Sequence, residues 1–132
     1  MDTDFTIELN PLDDTFSIYT MEEGQEIPPQ MLSSGFFSVT STPDEISVVT
    51  NCEIDFPRIR SDKGWKGFKV DGILEFTMVG ILCTIIEPLK AFGISVFVLS
   101  TFNTDYIFVK EKHFERAKEI FITSDNLSLR MK

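Results

Sequence analysis

Apolar and polar residues alternate with a period of two over Phe5 to Asn10 (FTIELN) and again over Thr15 to Met21 (TFSIYTM), which predicts two strands. Pro11 to Asp14 between them carries turn chemistry, so the pair reads as a hairpin. After an acidic link from Glu22 to Glu26, Pro28 and Pro29 can open a short helical turn that runs through Leu32 and stops at Gly35. Phe36 to Thr40 and Glu45 to Thr50 predict a second hairpin around Thr42-Pro43-Asp44. The pattern then lapses: Asn51 to Gly64 is polar and holds Pro57 and a Ser-Asp-Lys-Gly run, which places a boundary near residue 62.

Beyond it the periods change from two to 3.6 and back. Gly67 to Val70 leads as a strand into Asp71-Gly72. From Thr77 to Phe92, Met78, Ile81, Leu82, Ile85, Leu89 and Phe92 then fall on one helical face, with Gly93 as the stop and Pro88 as a source of a kink. Ile94 to Leu99 and Tyr106 to Val109 are apolar enough for central strands, and Glu111 to Ile122 carries Phe114, Ala117, Ile120 and Phe121 on one side of a second helix. Leu127, Leu129 and Met131 alternate as a closing strand. The order strand, helix, strand, strand, helix, strand is the split βαβ or ferredoxin-like arrangement, an antiparallel sheet with both helices on one face. The chain is therefore expected to be α+β, with a smaller N-terminal unit over 1–62 and a C-terminal unit over 63–132. Neither half, at roughly 65 residues, is a comfortable independent folder.

A polar cluster, Ser100, Thr101, Asn103, Thr104 and Asp105, interrupts the two apolar strands of the C-terminal half. It can close a tight hairpin on its own backbone, or it can line a pocket for a small polar ligand; the residue types alone leave both open. Charge narrows the partners. Twenty-one acidic against twelve basic side chains give a net charge of −9, which repels phosphate backbones and anionic membrane surfaces. The local basic run Arg58, Arg60, Lys63, Lys66 and Lys69, interleaved with Trp65 and Phe68, follows equally from strand alternation. Nucleic acid is not an expected partner.

Cys52 and Cys83 have no CxxC spacing and no nearby His, and the acidic turns around Asp2, Asp4, Asp13 and Asp14 lack calcium-loop spacing, so no metal and no cofactor is expected. No cationic leader precedes an apolar run, and Glu87, Lys90 and Ser95 break the longest apolar stretches, so a cytoplasmic protein without a membrane span is expected. GxSxG, P-loop, GxGxxG and HExxH patterns are absent, and the single histidine, His113, sits beside Lys112 at the start of an exposed helix; the chain is expected not to be an enzyme.

Gly64 to Gly72 (GWKGFKVDG), Phe76 to Gly80 (FTMVG), Gly93 to Ser95 (GIS) and Ser100 to Lys110 (STFNTDYIFVK) resemble a family of tandem ACT-domain proteins, similar to the ACT modules of aspartate kinases and to the cytosolic arginine sensors of the CASTOR type. Gly35 to Val39 (GFFSV) and Glu45 to Val49 (EISVV) resemble the smaller first unit of that family more loosely. The resemblance implies two ferredoxin-like ACT-type units and a non-catalytic regulator that binds an amino acid or similar metabolite. It further implies a homodimer and a regulated protein partner. An amino acid needs donors for its carboxylate and acceptors for its ammonium. Thr77 as N-cap, with the backbone N–H groups of Met78, Val79, Gly80 and Ile81, offers the donors. Asp105 offers the acceptor, with Thr101, Asn103 and Thr104 around it, and Ser95 is expected near the helix end of the neighbouring strand. Ile94, Val96 and Phe102 join this set by the resemblance alone. The competing expectation is an ACT-like oligomerisation or interaction module that holds no ligand.

Overall fold

Strand β1, Ile7–Met21, is a single run of fifteen residues rather than the expected hairpin. In this computed structural model, which describes residues 6–73 and 80–130, Pro11 to Asp14 continues the strand straight through the segment expected to turn. The reason lies in the partners. Ile7 to Leu9 pair in parallel with β7, Leu127–Leu129, whereas Ser17 to Met21 pair antiparallel with β3, Ile46–Thr50. The two halves of β1 thus bury their apolar residues in different cores, which a hairpin could not do. The chain divides accordingly into two compact units, Met1–Asp13 with Lys66–Lys132, and Asp14–Trp65. The boundary expected near 62 falls inside β4, Arg60–Ile73.

In the Asp14–Trp65 unit, helix α1 is a single turn, Pro29–Leu32, opened by proline at its first position. Strand β2, Phe37–Ser41, pairs antiparallel with β3 as the alternation predicts. Their turn is closed by Thr42, whose N–H bonds the Glu45 carbonyl at 2.9 Å and whose hydroxyl accepts the N–H groups of Asp44 and Glu45 at 3.2 Å. Tyr19, Met21, Met31 and Val48 form the core, with Ile27, Ile46, Ile54 and Ile59 packed against it.

The buried hydroxyl of Tyr19 donates to the Cys52 carbonyl and accepts the Ile54 N–H, both at 2.9 Å, so it pins the polar 51–54 segment to the sheet. Tyr19→Phe is expected to lower stability by about 1–3 kcal/mol, because it leaves two backbone groups without their partner. Chemical denaturation checks this: an unchanged midpoint would show that water replaces the hydroxyl at no cost.

In the other unit the elements from β4 onward run in the expected order: α2 (Ile81–Ala91), β5 (Val96–Ser100), β6 (Asp105–Lys110), a 3-10 turn at Glu111–His113, α3 (Phe114–Ile122) and β7. Strands β1, β4, β6 and β5 are successive neighbours, and β7 lies on β1. Ile81, Ile85 and Leu89 of α2 and Phe114, Ala117, Ile120 and Phe121 of α3 bury against Phe68, Val70, Ile107 and Val109 of the strands, with Ile7, Leu9 and Leu127 completing the core. This is the α+β, ferredoxin-like arrangement, antiparallel in its β5–β6 pair.

Helix α2 runs over Ile81–Ala91, with Gly80 at the N-cap and no side-chain cap; Thr77 and Met78, expected to open it, lie outside the described residues. Pro88 sits inside the helix, which continues to Ala91. Its C-terminus is closed as the glycine predicts. Gly93 has φ 74°, its N–H bonds the Lys90 carbonyl at 2.9 Å, and the Ile94 N–H bonds the Leu89 carbonyl at 3.0 Å, the two bonds of a Schellman motif. Phe92, expected on the apolar face, is 55% exposed and lies under the Arg116 guanidinium at 5.0 Å.

Candidate functional site

The β5–β6 connection is as tight as its residues allow. The register pairs Ser100 with Asp105, and the Thr101 N–H then bonds the Thr104 carbonyl at 2.8 Å. The Thr101 hydroxyl donates to that carbonyl at 3.0 Å and accepts the Thr104 N–H at 3.2 Å. Phe102 and Asn103 form the exposed tip. Local side-chain chemistry thus closes the turn, as Thr and Asn commonly do. One contact reaches further: the Thr104 hydroxyl donates to the Val70 carbonyl of β4. It fastens the hairpin beside the C-terminal end of β4, from which the chain leads through residues 74–79 to Gly80 and α2.

Thr101, Thr104 and Asp105 are therefore together, with Asp105 half-buried at the first position of β6. Gly80 has φ 85°, and its carbonyl is taken by the Thr84 N–H at 2.9 Å and the Thr84 hydroxyl at 3.0 Å. Ile81 buries its side chain in the core, which leaves it only its backbone N–H to offer. Thr77, Met78 and Val79 lie outside the described residues.

Ile94, Ser95 and Val96 are not brought to the hairpin. They stand at the opposite end of β5, whose five residues span roughly 17 Å at the usual strand rise. Ile94 is buried, with its N–H committed to Leu89, and Val96 packs against the core; only Ser95 is exposed.

The sequence reading missed a cleft of about 380 Å³ along α3. Phe114 and Leu129 floor it, and Lys66 and Lys118 flank it with their ammonium groups 5.1 and 4.5 Å from the Phe114 ring centroid. The available signal was the i, i+4, i+8 spacing of Phe114, Lys118 and Ile122, a stripe adjoining the core face of the same helix.

Elsewhere, Lys63 Nζ bonds Asp55 at 2.7 Å, which holds that ammonium above its ordinary pKa; the partner carboxylate is exposed, so this is a surface pair without catalytic character. Among the described residues no group of three or more His, Cys, Asp or Glu could hold a metal, and no helix is long and apolar enough to cross a membrane.

Residues 60–122 match the family model of the ACT domain. The chain is similar to protein Atu0741 from Agobacterium tumefaciens, known from an X-ray structure, with 32% identity over 96% of both chains and a TM-score of 0.81. Aspartate kinase from Clostridium acetobutylicum, described as an allosteric enzyme, matches with 16% identity and a TM-score of 0.60 over 80% of this chain and 32% of its own. A putative C-terminal regulatory domain of aspartate kinase from Porphyromonas gingivalis W83 matches with 11% identity and a TM-score of 0.54 over 94% of this chain and 99% of its own. No curated protein is significantly similar to the chain.

Proposed function

Since the chain belongs to one family with Atu0741 and carries an ACT domain over residues 60–122, we propose that it is a non-catalytic regulatory protein that binds an amino acid or a similar small metabolite. The observation that carries this reading is the fastening of the Thr101–Thr104 hairpin to Val70, which holds half-buried Asp105 beside the strand that leads to α2. In the proposed site Asp105 accepts the ligand's ammonium, with Thr101, Asn103 and Thr104 around it. Gly80 and Ile81 at the start of α2 offer backbone N–H groups to the carboxylate, and the rest of the expected donor set, Thr77 as cap with Met78 and Val79, lies outside the described residues. Ser95 stands far along β5 from the hairpin, so it joins such a site only from a second copy; the proposal therefore includes a homodimer. It also includes a cytosolic setting, a protein partner whose activity changes with the ligand, and the Asp14–Trp65 unit as a reduced, second ACT-like unit.

Regulation requires that the ligand favour one state of the protein over another. Calorimetric titration with the twenty amino acids, paired with thermal melts, tests the reading. A binding amino acid at a hundred times its Kd adds about 2.7 kcal/mol to stability. Asp105→Ala is expected to weaken that ligand about tenfold or more while leaving the unliganded melting temperature in place. No heat and no melting shift with any amino acid would end this proposal. It would leave the second reading, an ACT-like interaction module without a ligand, favoured by the hydroxyls of Thr101 and Thr104 already being used within the hairpin and on Val70.

A further inference from the structure

We propose that the cleft along α3, built wholly from the Met1–Asp13 and Lys66–Lys132 unit, binds a small carboxylate with an apolar body. This site is separate from the one around Asp105 and does not rest on that reading. Its volume of about 380 Å³ lies within the range of small-molecule pockets. Leu12, Phe114, Ile122 and Leu129 supply an apolar lining, from β1, one stripe of α3 and β7.

The charges are layered. Lys66 and Lys118 are half-buried with their ammonium groups over the Phe114 ring, whereas Asp13, Glu115 and Glu119 are exposed at the rim. The contrast is sharp within one ion pair: the Lys118 side chain is 28% exposed and its Glu115 partner 82%. Inner charges act through less water than outer ones, so the cleft interior favours an anion.

The three cations differ in what they have left to give. Arg130 is taken by Glu8 and Asp71, each at 3.0 Å, and Lys118 by Glu115 at 3.2 Å. Lys66 donates to the neutral Asp13 carbonyl at 2.6 Å, and among the described residues no carboxylate lies within ion-pair distance of it. An ammonium has three donors, so Lys66 retains two for a ligand. One carboxylate matches that supply and pairs without strain. A phosphate dianion would add charge facing three rim carboxylates and would leave the apolar floor unused.

Titration of the full chain with 4-methylpentanoate and 3-phenylpropionate, against 3-methylbutylamine and 3-phenylpropylamine, tests the site. The carboxylates are expected to bind saturably and the amines not. Lys66→Met is expected to weaken the carboxylates about tenfold or more. Ile122→Trp, at a 57% exposed position where the fold tolerates a larger side chain, is expected to block them by filling the cleft. Asp105→Ala is expected to leave them unchanged. Absence of saturable binding would overturn the proposal. Amines binding as tightly as the acids would do so too, as would binding that Asp105→Ala removes and Lys66→Met does not.

Discussion

Phe68→Ala is expected to cost about 3–5 kcal/mol, a large part of the 5–15 kcal/mol that holds a typical domain together. The Phe68 ring is fully buried on β4, edge-on to Phe121 at 4.9 Å and tilted against Phe114 at 5.1 Å, so it is the wedge on which both ends of α3 rest. Aromatic contacts of this kind add to the area that the ring removes from water. Truncation removes that burial and leaves a cavity that a helix clasped by its neighbours cannot collapse to fill. Urea denaturation measures it: with a slope of about 1–3 kcal/mol per molar, the midpoint is expected to fall by about 1 M or more. A loss under about 1.5 kcal/mol would show that α3 is held chiefly by something else.

Gly67→Val is expected to cost about 1–3 kcal/mol through overpacking, and Gly67→Ala is expected to destabilise as well. The sign is the informative part. Alanine in a strand ordinarily gains about 0.5–1 kcal/mol over glycine, and Gly67 has no left-handed backbone that would forbid the exchange. A Cβ here would, however, stand 2.9 Å from Phe108 Cε1 and 3.3 Å from Leu12 Cδ1. The Phe108 ring cannot swing away, since it is fully buried and stacked on Phe97 at 4.5 Å with planes 14° apart. Stability measurements on Gly67→Ala, Phe108→Leu and the double variant separate the causes. If the clash dominates, the double variant is more stable than the sum of the singles predicts. Additive costs, or an alanine that stabilises, would contradict the close approach.

Much of the second half was legible because its signals are local. Ile81, Ile85 and Leu89 mark the buried face of α2, Gly93 closes it, and Phe114, Ala117, Ile120 and Phe121 mark α3. The β2–β3 hairpin was legible for the same reason, with Thr42 and Glu45 closing the turn that the alternation brackets. Pro11 to Asp14 misled because a proline-acidic segment looks alike in a turn and in a strand that changes partners midway. The first half of β1 takes its partner more than a hundred positions away, at Leu127 to Leu129, and the second half takes Ile46 to Thr50; no local pattern carries that division.

The candidate sites divide along the same line. Thr101 and Thr104 were identified from their types, and the hairpin they close is local chemistry. That Thr104 would reach Val70, and that Ile94 to Val96 would stand at the far end of β5, were matters of strand direction and register. The cleft along α3 was invisible because Lys66, Lys118 and Leu129 belong to three different elements, and each is unremarkable in its own.

By itself, then, the sequence determined what short-range physics can determine: the helical and strand periods, the turn at Thr42, the glycine stop at Gly93 and the order of elements from β4 to β7. Tertiary structure alone decided that β1 runs unbroken past Pro11, that Phe108 needs a glycine opposite it, and that two lysines meet the Phe114 ring beside a cleft. Periodicity is set by neighbours three or four residues apart, whereas strand partners and pocket walls are set by burial shared among segments that meet only when the chain is folded.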